Sequence, residues 1–223
     1  MSDVKRQKDT DSCLIICNGR IYKKDLAKFI YVKDNGKPRR AIKIIACDGA
    51  SDFLLKAKIT PDVIIGDLDS ITPKALKYFS SKGVKIKYAP DQNKNDLEKA
   101  ILFALSNNFG LINIAGLSGK RFDHSLNNLS VLLKYYNKTE IILHENGFTG
   151  KIISKTTKFN CRTGSVISII PLPSASGITT AGLKYPLKNS TLALGKREGA
   201  LNEAVNDVFS ISLRKGVLLV LVN

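Results

Sequence analysis

Four short segments of this 223-residue chain place carboxylates or cations directly behind apolar, β-branched runs. Asp48, Gly49 and Ala50 follow "IKIIAC"; Gly66, Asp67, Leu68, Asp69 and Ser70 follow "DVII"; "DQNKND", ending in Asp96, follows "KIKYAP"; and "LSGKRFDH" follows "LINIAG". In a parallel α/β sheet, ligands bind beyond the carboxyl ends of the strands, so these four ends are expected to meet on one rim. Asp48, Asp67, Asp69 and Asp96 would repel one another there unless a cation sat among them, and their hard oxygens suit Mg2+. Gly119, Lys120 and Arg121 at a loop-to-helix junction supply close backbone approach, positive charge and helix-terminal N–H groups, which suit phosphates. The residues therefore predict magnesium bridging the phosphates of a nucleotide.

Each residue also has a plainer role. Asp67 or Asp69 alone serves as a turn residue, because Asp bonds its own backbone after a strand. Asp96 favours the positive end of a helix dipole, and His124 fits a structural hydrogen bond as well as a base. The segment "LSGKRFDH" lacks the G-x-x-x-x-G-K-S/T spacing of a P-loop, and no G-x-G-x-x-G fingerprint occurs.

Positioning these groups requires strands alternating with helices. From residue 13 to about 145, "CLIICNG", "IKIIACDGA", "DVIIGDLDS", "KIKYAP", "LINIAG" and "EIILHEN" read as strands. Between them "KKDLAKFIYVK", "ASDFLLKAK", "PKALKYFSSK", "NDLEKAILFALSNN" and "FDHSLNNLSVLLKYY" carry apolar residues at helical spacing. In the fourth, Leu97, Ile101 and Leu105 make one stripe, and Asn95 and Glu98 read as a capping pair. This alternation predicts a mostly parallel sheet covered on both faces. After residue 150 only strands remain: "KIISK", "TKFNCR", "SVISIIPL", "GITTAGLKYPL", "STLALG", "DVFSISL" and "GVLLVLVN". Their spacing suits an antiparallel sandwich, with the boundary in "ENGFTGK", residues 145–151.

Composition narrows the partners. With 43% hydrophobic and 24% charged residues the chain can bury a core. It has no run of roughly 20 apolar residues for a membrane helix, and its polar start, "MSDVKRQKDTDS", lacks the apolar run of a secretory signal. A cytoplasmic protein is expected. Cys13, Cys17, Cys47 and Cys161 sit in strand-like runs with two histidines in the chain, which suits buried thiols better than a zinc site. The formal net charge of +16 raises nucleic acid as a partner, but the lysines are spread along the chain and no nucleic-acid motif is present, so polyanionic small molecules fit equally well.

At these residues the chain resembles the thiamin pyrophosphokinase family. The segment "ACDGA" resembles its D-G-G/A-A; "PDVIIGDLDSI" its P-D-x-x-x-G-D-x-D-S; "DQNKNDLEKAI" its Q-x-x-x-D-x-x-K-A; and "GLSGKRFDHSLNNL" its G-x-x-G-x-R-x-D-H. Later, "TTAGLKYPL", "LALG" and "LNEA" resemble T-x-G-L-K-Y-P-L, L-x-x-G and S-N-E. The resemblance implies transfer of the diphosphate of ATP to the hydroxyl of thiamin, releasing AMP, with Mg2+ as cofactor. It implies an N-terminal α/β/α, Rossmann-like nucleotide-binding domain over residues 1–147. A C-terminal antiparallel β-sandwich for thiamin binding and dimerisation follows over 148–223, in a homodimer with active sites between subunits. By motif position Asp67, Asp69 and Asp96, with Asp48 beside them, match the magnesium carboxylates, and Arg121 joins Asp67, Asp69 and Asp96 as catalytic. Asp48, Gln92, Lys99, Lys120, Arg121, Asp123 and His124 match ATP-facing positions, and Leu201, Asn202 and Glu203 the thiamin pocket. Two residues depart from the family pattern: Leu201 stands where Ser precedes Asn-Glu, and Asn95 where Thr precedes the helix Asp. Thiamin is cationic, so Tyr185 or Glu203 would face its ring. Leu201 keeps open another heterocyclic alcohol, such as a hydroxymethylpterin, as acceptor. A nucleotide or nucleic-acid binder without catalysis is the reading outside enzymes.

Overall fold

The computed structural model describes residues 12–21, 26, 30–34, 37–40 and 42–223. It divides into two compact units, Met1–Asn146 and Gly147–Asn223. The first unit runs β1 (Ser12–Ile16), β2 (Tyr31–Asp34), β3 (Lys37–Arg40), β4 (Lys43–Cys47), α1 (Ser51–Ala57), β5 (Val63–Gly66) and α2 (Pro73–Ser81). It continues with β6 (Lys85–Tyr88), α3 (Asp96–Ser106), β7 (Leu111–Ala115), α4 (Phe122–Tyr135) and β8 (Glu140–Glu145). The order β8-β7-β1-β4-β5-β6 makes a six-stranded sheet in which every adjacent pair is parallel.

Strands buried on both faces read as unbroken apolar runs rather than alternating ones. In β1, Cys13, Leu14, Ile15 and Ile16 are all fully buried. Leu14, Ile16, Ile44, Ala46 and Ile64 share one core with Leu54, Ala57, Ala75 and Phe79 of α1 and α2. Helix α3 packs against β1, β4 and β5, and its Leu97, Ala100, Ile101 and Ala104 are buried. The fold is thus mixed α/β. Chain order reverses beside β1, which has β4 on one side and β7 on the other, and loops at such a reversal leave a crevice at their carboxyl ends.

Two expectations change here. The helix predicted over residues 23–33 lies largely outside the described residues; Leu26 and Ile30 are helical and buried, but 31–33 belong to β2, which pairs with β3 as an unforeseen hairpin. The polar start, residues 1–11, also lies outside the described residues. The capping pair of α3 is half formed. Asn95 Oδ1 accepts from the Glu98 N–H at 2.9 Å, but the Glu98 carboxylate turns instead to Lys134 Nζ and the Tyr135 hydroxyl of α4. An ammonium and a phenol satisfy a buried carboxylate more fully than one backbone N–H would.

The second unit holds β9 (Phe148–Ile153), β10 (Thr157–Asn160), β11 (Val166–Ala181), β12 (Ser190–Ala193), β13 (Gly199–Glu203), β14 (Val208–Ser212) and β15 (Lys215–Val222). Its pairings β10-β14-β11-β15-β9 are antiparallel, and β12 and β13 also pair with β11. Ile167, Ile169, Ile178, Leu192, Phe209, Ile211 and Leu218 pack in its core. The two strands predicted as "SVISIIPL" and "GITTAGLKYPL" are one strand of 16 residues, ending at Ala181. Prolines at 171 and 173 resemble a turn in sequence, yet a shift of register between Pro171 and Ala175 accommodates them within the ladder. Among the described residues no helix is long and apolar enough to cross a membrane.

Candidate active site

The strand ends do converge. A cavity of about 470 Å³ lies beyond the carboxyl ends of the parallel strands, lined by Cys47 at the end of β4 and by residues of the loops after β1, β5, β6 and β7. Its floor is acidic: carboxylate oxygens of Asp48, Asp67 and Asp96 all lie within 4.8 Å of one another. Asp48 is fully buried and accepts the N–H groups of Gly49 at 2.6 Å and Leu68 at 2.8 Å. Leu68 donates the second bond from a left-handed conformation (φ 67°), just after the end of β5. Gly66 makes the approach possible, since a Cβ there would stand 2.5 Å from Asp48 Cγ.

This arrangement has an electrostatic deficit. Burial, and then the neighbouring Asp96 carboxyl, push the Asp48 carboxyl up to about 7, against the two N–H groups that favour its charge. Asp67 is held below the ordinary carboxylate range: burial opposes this, but the Asp69 N–H, the Gln92 amide at 3.1 Å and Lys99 prevail. Lys99, with 5% of its side chain exposed, donates to Asp96 Oδ1 at 3.1 Å and lies 3.9 Å from Asp67. One ammonium thus stands against three carboxyls. A divalent cation fits the remainder, because the donors are hard oxygens within 4.8 Å of one another with a single ammonium against them.

The other wall is basic. Lys120 Nζ donates to Asn18 Oδ1 at 2.5 Å, and Lys94, Arg121 and His124 line the same cavity. Arg121 forks onto Asp123 at 3.1 and 2.5 Å, and that guanidinium draws the exposed Asp123 carboxyl down to about 2. Of the residues expected at the site, Asp67, Asp69, Asp96, Gln92, Lys99, Lys120, Arg121 and His124 line the cavity. Asp48 lies beneath its surface, and Asp123 faces Arg121. Asp69 is exposed, holds the Ser70 hydroxyl at 2.7 Å, and stands outside the group of three carboxyls.

Leu201, Asn202 and Glu203 belong to the second unit, on β13. Leu201 is 77% exposed in a left-handed conformation (φ 57°). Asn202 is buried; its Oδ1 accepts from the N–H groups of Tyr185 and Glu203, and its Nδ2 donates to the Tyr185 carbonyl. Glu203 pairs with Lys184 at 2.9 Å, and Tyr185 is 63% exposed.

Several residues of the site escaped the sequence reading. Asn18 and Gly19 follow β1 as Asp48 and Gly49 follow β4, so the strand-end rule already pointed to them. Gly19 N–H donates to the Gly116 carbonyl at 2.7 Å and Arg20 N–H to Ser118 at 2.6 Å, closing the loops after β1 and β7 on each other. A Cβ at Gly19 would lie 2.2 Å from the Gly116 oxygen. Glu145, at the end of β8, accepts the Leu117 N–H at 2.5 Å and the Ser118 hydroxyl at 2.8 Å. It closes the apolar run of "EIILHE", so the same rule reached it, but the sequence does not show its partners on the neighbouring loop.

The model of the thiamin pyrophosphokinase catalytic domain matches residues 38–143, and that of the thiamin pyrophosphokinase vitamin B1 binding domain matches residues 152–218. The chain belongs to the thiamin pyrophosphokinase family. Among similar proteins of this family, thiamine pyrophosphokinase 1 of Oryza sativa subsp. japonica is 33% identical over 155 residues, which cover 63% of this chain and 58% of that protein. The chain thus spans little more than half of this rice relative. Thiamine pyrophosphokinase of Bacillus subtilis is 29% identical over 182 residues, covering 79% of this chain and 85% of that protein. The crystal structure of thiamine pyrophosphokinase from Bacillus subtilis superposes with a TM-score of 0.81 at 26% identity, covering 96% of this chain and 99% of that one. Yeast thiamin pyrophosphokinase, at 20% identity and a TM-score of 0.78, shares the fold. The carboxyl group, Lys99, Lys120 and Arg121 all fall inside the segment matched by the family's catalytic domain, and β13 inside the segment matched by its vitamin-binding domain.

Proposed function

We propose that the protein transfers the diphosphate of ATP to the hydroxyl of thiamin, giving thiamin diphosphate and AMP. The observation that carries this reading is the cavity with three clustered carboxyls on its floor and Lys120 and Arg121 on its wall, in a chain with both of the family's domains in order. Asp48, Asp67 and Asp96 would hold Mg2+, with Asp69 near them. Bound there, the ion would supply counter-charge for the phosphates of ATP.

The chain's own groups do the remaining work by positioning and electrostatics. Lys120, Arg121 and Lys99 bring positive charge to a triphosphate, and Arg121 reaches it by turning from Asp123. The thiamin hydroxyl attacks the β-phosphorus in line with the departing AMP oxygen, and charge on the transferred group falls on these cations. Asp69, the carboxylate outside the clustered group, is assigned the hydroxyl proton. Gln92 orients Asp67. In the second unit Asn202 fixes the Tyr185 backbone, and Tyr185, Leu201 and Glu203 offer an aromatic face, an apolar contact and a carboxylate to a cationic heterocycle.

We further propose that residues 1–147 form a Rossmann-like nucleotide-binding domain and 148–223 a β-sandwich that binds thiamin and dimerises. Parallel pairing with both sheet faces buried supports the first, and antiparallel ladders around a shared core support the second. A homodimer accords with the large apolar side chains left exposed: Phe122 (79%) and Leu126 on α4, and Leu201 on β13. A cytoplasmic location accords with four free cysteines, three of them buried. The test is formation of AMP and thiamin diphosphate from ATP, Mg2+ and thiamin, run beside a panel of other heterocyclic alcohols. AMP from a different acceptor, or none from any, overturns the assignment.

A further inference from the structure

Asn95, immediately before the carboxyl group's Asp96, does two things at once. Its Oδ1 caps α3 by accepting the Glu98 N–H at 2.9 Å, and its Nδ2 donates to Asn128 Oδ1 of α4 at 3.1 Å. Asn128 passes the connection on, its Nδ2 donating to the Leu117 carbonyl at 2.9 Å. The Leu117 N–H in turn donates to Glu145, which also holds the Ser118 hydroxyl.

The direction of every bond is forced. A backbone N–H at Glu98 requires oxygen on that side of Asn95, so nitrogen faces Asn128, which must answer with oxygen and present its own nitrogen to the Leu117 carbonyl. Aligned amide chains of this kind strengthen one another when withdrawn from water, and here both asparagines and the Leu117 peptide are at least partly buried. The two ends of the chain matter to the site. Asn95 immediately precedes Asp96, a member of the carboxyl group, and Leu117 and Ser118 open the loop that ends in Lys120 and Arg121. A threonine could still cap α3, but its single short hydroxyl has no second arm to reach α4.

We infer that Asn95 and Asn128 are positioning residues that lock the start of α3 to the loop after β7, so that the acidic floor and the basic wall of the cavity keep a fixed spacing. This rests on the proposed reading of the cavity as a magnesium and ATP site. Asn95 and Asn128 also line the cavity, so a reading taken without nucleotide is needed to tell the relay from direct contact with the ligand.

A double-mutant cycle tests it, read as binding of Mg·ATP without acceptor by calorimetry. Asn95→Thr keeps the cap and removes the arm; it is expected to weaken Mg·ATP binding by roughly three- to tenfold, the loss of one net hydrogen bond. Asn128→Ala is expected to do at least as much, and Asn95→Thr added to it to do nothing further. Hydrogen exchange of the nucleotide-free protein supplies a reading independent of ligand: residues 116–121 should exchange faster in Asn95→Thr while α3 keeps its protection. Additive effects in the cycle, or an unchanged loop in Asn95→Thr, overturn the relay. Failure of the functional reading looks different, because the parent protein would then bind Mg·ATP without converting thiamin, or bind none while the exchange result still stands.

Discussion

Replacing Gly66 by alanine adds one methyl group at the point where β5 passes the carboxyl of Asp48. Its Cβ would sit 2.5 Å from Asp48 Cγ, 2.6 Å from Oδ2 and 2.8 Å from Cβ. Ordinary carbon contacts lie at about 3.5 to 4.0 Å, so the carboxyl must retreat by about 1 Å. That retreat cannot be free, because Asp48 is fully buried and anchored by the N–H groups of Gly49 and Leu68. Overpacking costs about 1 to 3 kcal/mol and a broken buried hydrogen bond about 1 to 3 more, so a total of about 2 to 6 kcal/mol is expected. At about 2 to 4 °C per kcal/mol, the melting temperature of the metal-free protein should fall by about 4 to 24 °C.

The same shift moves one of the three oxygens away from its companions, so the response to metal should suffer as well. A cation at a hundred times its dissociation constant stabilises the parent by about 2.7 kcal/mol, a rise of about 5 to 10 °C. Gly66→Ala should lose most of that rise. Gly83→Ala is the control: its φ of 73° makes alanine strained, but nothing lies within 4 Å of the added carbon. It should cost about 1 to 2 kcal/mol and keep the full response to magnesium. The assay is thermal unfolding across a magnesium titration for the three proteins. A full magnesium-induced rise in Gly66→Ala would refute Asp48 as part of the cation site.

Other expectations separate neighbours in sequence. Asp67→Asn should abolish both AMP formation and the magnesium-induced rise in melting temperature, whereas Asp69→Asn should lower turnover and keep most of the rise; equal loss of the rise in both would restore Asp69 to the metal group. Burial draws His144 down to about 4 while its Nε2 meets Asn113 Oδ1 at 2.9 Å. The unfolded chain therefore takes up the proton first, and stability present above about pH 6.5 is lost as pH falls towards 4, by about 1 to 2 kcal/mol after allowance for partial contact with water. Denaturant titrations of His144→Gln should show a flatter profile across that window, and an unchanged slope would count against it. Asn202→Ala leaves the Tyr185 backbone without its two bonds to the amide; KM for thiamin should rise several-fold with KM for ATP unchanged, as measured by initial rates.

The sequence made the parallel strands legible because burial on both faces leaves no alternation to misread, as in "CLII" and "KIIAC". It also located the rim, since Asp48, Asp67 and Asp96 each follow such a run. What it could not separate was Asp67 from Asp69. Two residues apart they would share a face of a strand, but β5 ends at Gly66 and the left-handed Leu68 turns Asp69 outward. Strand β13 escaped because "GALNE" has neither alternation nor β-branched residues, and it is held by pairing with β11 instead of by its own preference. The destination of the Glu98 carboxylate was a tertiary matter, decided by Lys134 and Tyr135 some 36 residues further on.

The first strand among the described residues is an inner strand of the parallel sheet, with Cys13 in register with Lys43 of β4 on one side and Ile112 of β7 on the other. A nascent chain can pair β1 with β4 early, but the other edge of β1 then waits for about 65 more residues, roughly 3 to 13 s at ribosomal speed. Until β7 arrives the loops that face each other at Gly19 and Gly116 have no counterpart. The cavity at the strand ends is therefore among the last features of its unit to exist during synthesis, and a chain stalled before residue 111 would present an apolar edge with the cavity still open on one side.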